Sequence, residues 1–218
     1  MMRSLTHAAC RKIMKENDDL VILDTRDAGA FMQGFIPGSV YISLNEQFTD
    51  LATSLVNTAS PILLVAEGGK ETEIMDKLSK AGFTDIRGYL EGGFSEWLNA
   101  QEEIDMIIEI EADELAMDLP FDDELLVLDI RQQTEFAGGH VRDAMNMPLK
   151  TMNDPANMAM IEETCNIYIM GGSDMKQVMA AALLKRQGFH NLRTIEGGWE
   201  SVLREKRIET VKEKEMLN

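Results

Sequence analysis

The chain has 218 residues, 44% hydrophobic and 27% charged, which suffices for one large domain or two small ones that each bury a core. Its formal net charge of −17, from 38 acidic against 21 basic residues, argues against nucleic-acid binding and docking on an anionic membrane, since both need clustered Lys and Arg. Two cysteines and three separated histidines, with no Cys-x-x-Cys or His-x-x-x-His, argue against a disulfide framework and a metal site.

In chain order, the opening MMRSLTHAACRK lacks the apolar core and cleavage site of a secretory leader, so a cytoplasmic protein with reduced thiols is expected. No window approaches the roughly 18 apolar residues needed to span a bilayer. Residues Ser4–Glu16 read as a helix with Ser4 or Thr6 as N-cap. Leu20–Leu23 is a continuous apolar run ending at Asp24, as a strand buried on both faces would read. Ile62–Val65 is a second such run, followed by a small-residue turn and a helix over Thr72–Ala81. Residues 101–125 hold eleven acids and no base, which reads as a solvated link and an acidic helix face, with a boundary near 99–107. Beyond it come a helix at Ala112–Met117, strands at Leu125–Leu128 and Ile167–Met170, and a helix over Gln177–Gln187. The tail, Lys206–Asn218, is mixed-charge and reads as a helix end or a frayed terminus. Strand, turn, helix and strand in this order imply an α/β fold with a mainly parallel sheet flanked by helices.

The chain also repeats itself. Asp24-Thr25-Arg26 recurs as Asp129-Ile130-Arg131, an offset of 105. Phe31, Gly34 and Ile36 match Phe136, Gly139 and Val141 at that offset, and Glu91-Gly92-Gly93 matches Glu196-Gly197-Gly198. Ile62–Val65 matches Ile167–Met170 likewise, but Lys80-Ala81-Gly82-Phe83 pairs with Arg186-Gln187-Gly188-Phe189 at 106. The second copy therefore has one extra residue between its apolar strand and the end of the next helix. A period this long means two whole domains, placed at 1–103 and 104–218.

Asp-x-Arg, then Phe-x-x-Gly-(Phe/His)-(Ile/Val), a strand–loop–helix and a closing Glu-Gly-Gly-aromatic resemble the rhodanese-like domain, and each copy carries the full order. Leu63–Lys70, Gly88–Phe94 and Leu183–Leu192 further resemble the two rhodanese-like domains that follow a metallo-β-lactamase domain in persulfide-dioxygenase-type fusions. That metal-binding domain has no counterpart in these residues.

The resemblance implies sulfurtransfer by a cysteine placed just after the strand. Inward-pointing backbone N–H groups and a helix N-terminus suit that position, because they stabilise a thiolate and cradle an anionic donor. Neither copy has this cysteine. In the first, the slot falls on Ala66 when counted along the strand and on Val65 when counted back from Gly82; in the second both counts give Gly171. The first loop runs through Ala66, Glu67, Gly68, Gly69, Lys70 and Glu71. The second runs through Gly171, Gly172, Ser173, Asp174, Met175 and Lys176. Glu67 and Glu71 flank Lys70, and Asp174 sits near Lys176; at an effective dielectric of about 20, a nearby carboxylate opposes an anionic donor by several kcal/mol. Both loops read as remnants of an active site, with no catalytic residue in either.

The other candidates read as structural. Cys165 precedes its strand while the loop follows it, roughly 20 Å away at about 3.3 Å per residue, so a small buried apolar residue is the expected role. Cys10 reads as helix packing, and Ser173 has no base beside it in sequence. Asp24, Arg26, Asp129 and Arg131 sit at strand ends and are expected to support the loops through charge-assisted hydrogen bonds. His140 stands where the first copy has Phe35, which points to packing or a single hydrogen bond. Trp97 and Trp199 are expected to cover core. The sixteen methionines are scattered and read as core filling.

The sequence thus leads to a tandem rhodanese-like protein that binds or regulates without catalysis in a sulfur-metabolism context. No cofactor is expected. Its partner would be a protein, such as a persulfide-oxidising metallo-β-lactamase-fold enzyme. The alternatives are a sulfurtransferase using Cys10 or Cys165, and a sensor holding a small anion in the loop Gly171–Lys176.

Overall fold

Leu20, Val21, Ile22 and Leu23 are all buried, as are Ile62, Leu63, Leu64 and Val65, so both faces of the sheet they build are covered and no alternation is visible in sequence. These residues anchor the first of two units in a computed structural model that describes residues 3–213. The chain divides after Met106, with the second unit starting at Ile107. Residues 104–106 therefore lie with the first unit.

Unit 1 runs β1 (Ser4–Leu5), α1 (His7–Glu16), β2 (Val21–Asp24), α2 (Ala28–Gln33), β3 (Val40–Tyr41), α3 (Phe48–Leu55), β4 (Ile62–Val65), α4 (Glu71–Lys80), β5 (Ile86–Leu90) and α5 (Phe94–Asn99). Its five strands pair in the order β1-β5-β4-β2-β3, all in parallel. Thr6, not Ser4, caps α1, its side chain accepting from the Ala9 N–H; Ser4 belongs to the edge strand β1 instead.

Unit 2 runs β6 (Ile108–Ile110), α6 (Ala112–Asp118), β7 (Leu125–Asp129), α7 (Gln133–Ala137), β8 (His140–Val141), β9 (Met145–Asn146), a 3-10 turn at Leu149–Thr151, α8 (Pro155–Met158), β10 (Asn166–Met170), α9 (Asp174–Arg186), β11 (Leu192–Ile195), α10 (Gly198–Arg204) and β12 (Thr210–Val211). Its main sheet, β6-β11-β10-β7-β9, repeats the order and the parallel pairing of unit 1. Two five-stranded parallel sheets flanked by helices are thus the α/β architecture expected of two tandem rhodanese-like domains.

Two expectations need correction. Part of the acid-rich stretch is not a free link: Phe35 and Asp105 exchange backbone hydrogen bonds of 2.9 Å, Trp97 Nε1 donates to the Glu103 carbonyl at 2.9 Å, and Arg11 donates to Glu102 at 2.8 Å. Residues 102–105 therefore strap back over unit 1. Likewise the tail enters β12, which pairs antiparallel with β8, rather than continuing a helix; residues 214–218 lie outside the described ones. The two straps are equivalent, since Val211 pairs with His140 as Asp105 does with Phe35.

Candidate functional site

The carboxyl ends of the central strands place the two loops. Asp24 pairs with Val65 across β2 and β4, and Asp129 with Met170 across β7 and β10. The carbonyls of Val65 and Met170 each accept a 3.0 Å bond, from Thr25 and Ile130. Val65 is therefore the last strand residue, and Ala66 is the structural counterpart of Gly171. The extra residue also resolves. Loop 1 has five residues before α4 and loop 2 only three before α9, while α9 has 13 residues against 10 in α4.

Behind each loop sits the same buried node. Arg26 grips the Asp24 carboxylate through Nε and Nη2, at 3.0 and 2.8 Å, and Nη2 also donates to the Gly34 carbonyl at 2.8 Å. Its guanidinium lies 4.1 Å from the centre of the Phe94 ring. Arg131 does the same with Asp129, the Gly139 carbonyl at 2.8 Å and, at 4.1 Å, the ring of Trp199. One guanidinium so gathers Asp-x-Arg, Phe-x-x-Gly and Glu-Gly-Gly-aromatic, joining segments far apart in sequence. Both carboxylates are fully buried. Burial pushes the Asp24 carboxyl above the usual carboxylate range, and Arg26 pulls it back. Each Asp also accepts from its own Arg backbone N–H, at 3.1 and 3.0 Å.

In loop 1, Glu67, Gly68, Gly69 and Lys70 are exposed while Ala66 is buried. The loop's own chemistry is turned inward. Gly69 N–H donates to the Glu71 carboxylate at 2.8 Å, and Lys70 Nζ reaches Glu73 at 3.5 Å. A backbone donor and an ammonium that would hold an outside anion are thus engaged by the chain's own carboxylates. Thr25, Arg26, Ser43, Glu67, Lys70 and Glu73 help to line a cleft of about 280 Å³ beside this loop.

Loop 2 is built more tightly. Gly171 and Gly172 both have positive φ, +106° and +67°, a conformation that side chains rarely adopt. A Cβ at Gly171 would lie 2.7 Å from Asp129 Oδ1 and 2.7 Å from Arg131 Cγ, inside van der Waals contact with the buried node. Asp174 accepts from the Gly197 N–H at 3.1 Å and from Gln177 Nε2 at 3.3 Å, which ties the loop to the Glu-Gly-Gly turn. Gln177, fully buried, bonds both the carbonyl and the N–H of Ile195, at 3.0 and 3.1 Å. Ser173 is the N-cap of α9 without a side-chain bond to the helix, and Met175 and Lys176 lie in its first turn. A larger cleft of about 490 Å³ lies by the Glu-Gly-Gly turn, lined by Glu111, Asp113, Glu196, Glu205, Ser201 and Arg204 among others, and by no residue of loop 2.

Neither thiol reaches a loop. Cys10 is buried in α1, its Sγ 3.8 Å from the Leu5 carbonyl, and burial pushes its pKa up to about 11. Cys165 precedes β10 and so sits at the opposite end of that strand from loop 2; it is half-buried, not the buried residue expected, and burial raises its pKa. His140 stacks on Phe136 and its Nδ1 donates to the Phe136 carbonyl at 2.8 Å, as Phe35 stacks on Phe31 in unit 1. Both tryptophans cover core as expected: Trp97 is buried in unit 1, and Trp199, half-buried, packs against the core of unit 2 while stacking on Arg131. Sequence reasoning missed that stack, the Gln177 clamp and the Glu71 contact. The matching of Phe94 with Trp199 at the common offset was the signal available for the first.

The family model described as rhodanese-like domain matches residues 6–100 and again 111–205. A sulfurtransferase of Allochromatium vinosum is 29% identical over 93 residues, covering 43% of this chain and 85% of that protein. Among solved structures, thiosulfate sulfurtransferase from Pseudomonas aeruginosa aligns over 98% of this chain at 16% identity and a TM-score of 0.44. This chain spans only 44% of that one. SseA from Escherichia coli, a 3-mercaptopyruvate sulfotransferase, aligns over 91% of this chain and 99% of its own at 14% identity and a TM-score of 0.42.

Proposed function

Because the chain belongs to the rhodanese-like family through both of its units, we propose that it serves sulfur metabolism as a binding or regulatory module, with sulfur transfer absent from both loops. The family and a sulfurtransferase relative support the sulfur-related role. The observation that carries the non-catalytic part is the closed slot of unit 2, where any side chain at Gly171 would meet Asp129 and Arg131 at 2.7 Å. Unit 1 adds an alanine in the equivalent place and a loop whose N–H and ammonium face Glu71 and Glu73. Sulfane-sulfur chemistry needs an accessible thiolate, and both thiols of this chain lie away from the loops with raised pKa values. On this reading the physiological contact is with a protein, and the persulfide-oxidising metallo-β-lactamase-fold enzymes are the first partners to try.

The test is thiosulfate:cyanide turnover by the reduced 218-residue protein, with Cys10→Ser and Cys165→Ser variants beside it. The expected rate is that of buffer in all three. A rate above buffer that disappears in one variant would overturn the proposal and assign the chemistry to that thiol.

A further inference from the structure

We infer that the apolar tip formed by Met117, Pro120 and Phe121 in unit 2 docks a protein segment that is apolar on one face and cationic around it. This rests on reading the chain as a binding module and names the surface and the partner chemistry. Phe121 is 88% exposed and Met117 51% exposed, an uncommon use of a phenyl ring on a chain this acidic. The ring is held out by structure rather than by disorder of the turn. Phe121 and Asp122 both donate backbone N–H bonds to the Asp118 carbonyl, at 2.9 and 3.1 Å, and Tyr168 Oη donates to the Asp118 carboxylate at 2.5 Å. Leu119, inside the same turn, packs against the core cluster and anchors it.

Charge selects the occupant. Asp113, Glu114, Asp118, Asp123 and Glu124 are exposed around the tip. Two bases of this unit are engaged elsewhere: Arg193 lies over the Tyr168 ring, and Arg207 donates to Glu205 at 2.8 and 2.7 Å. Phosphate backbones and anionic bilayers are repelled by this frame, and a second copy would bring the same carboxylates against their own kind. A cationic amphipathic segment satisfies both the ring and the frame.

The probe is a fluorescein-labelled 14-residue helix-forming peptide of Leu and Lys, with a Leu and Glu counterpart, titrated with the full chain and read by fluorescence anisotropy. The Lys peptide is expected to bind and the Glu peptide not. Phe121→Ser should weaken binding at least tenfold, and Met117→Ser several-fold, while leaving the circular dichroism and melting temperature unchanged, because both side chains are exposed. Asp123→Asn with Glu124→Gln should weaken it more than Asp18→Asn with Asp19→Asn, the same charge change made on exposed residues of unit 1. Wild-type affinity in Phe121→Ser and Met117→Ser, or equal losses in the two charge-matched pairs, would overturn the docking surface. Thiosulfate:cyanide turnover in the same preparations would overturn the non-catalytic reading instead, so the two failures are told apart.

Discussion

Placing a cysteine at Gly171, the slot that the rhodanese resemblance implies for one, tests the proposed loss of catalysis, and the geometry says it will cost more than it returns. Gly171 has φ of +106°, and its new Cβ would stand 2.7 Å from Asp129 Oδ1 and from Arg131 Cγ. Three costs combine. A side chain in this backbone region is strained by about 1–3 kcal/mol. Forcing extra atoms against packed neighbours costs about 1–3 kcal/mol. Displacing a fully buried carboxylate from its guanidinium adds more, because breaking a buried pair costs about 3–5 kcal/mol if it goes to completion. The first two costs alone give a loss of about 2–6 kcal/mol for Gly171→Cys, which at about 4 °C per kcal/mol lowers the melting temperature of a unit of this size by about 8–24 °C. Ala66→Cys is the contrast. Ala66 already carries a Cβ without a positive φ, so its melting point should move by only a few degrees. It should nonetheless turn over no thiosulfate, with Gly69 N–H held by Glu71 and Lys70 by Glu73. Thermal melts followed by circular dichroism, with thiosulfate:cyanide turnover on each variant, decide the matter. A Gly171→Cys protein that melts like wild type and turns over thiosulfate would refute the steric argument.

Two further outcomes follow from the same contacts. Arg131→Lys keeps the charge but loses the bidentate grip on Asp129, and a compact ammonium cannot also reach Gly139 and stack on Trp199; a loss of about 2–4 kcal/mol in urea denaturation is expected, with a changed Trp emission spectrum. For Cys10, burial raises the folded-state pKa from 9.0 to about 11. The folded protein thus keeps the proton that the unfolded chain gives up. The contribution is intact below about pH 9 and is lost as pH rises toward 11, by at most about 1.4 kcal/mol per pH unit. Cys10→Ala should flatten that part of the stability profile, and an unchanged slope would count against the burial.

The parts of the fold that were legible in the sequence are those with length and repetition. Ile62–Val65 and Ile167–Met170 announce themselves because four apolar residues in a row need a sheet covered on both faces, and the offset of 105 establishes the pair of domains. Edge strands of two or three residues, β1, β3, β6 and β9, were beyond reach, since no period can be seen in so few positions. The ambiguity between Val65 and Ala66 could not be settled by counting, because the one-residue difference is divided between a shorter loop and a longer helix; strand register settles it. The aromatic after Glu-Gly-Gly was visible as a landmark but not as the partner of an arginine 68 positions earlier. That pairing exists only once the sheet brings the strand ends together.

The strap that returns Asp105 to Phe35 bears on how the halves can be separated. Its counterpart, Val211 against His140, lies one repeat further on, so each repeat includes its own closing segment. A fragment cut at residue 100 would strip the backbone partner from Phe35, the carbonyl from the Trp97 indole and the carboxylate from Arg11, leaving an unfinished half whose failure to fold would say nothing about domain independence. Dissection should cut between Met106 and Ile107, where each half keeps the residues that close it.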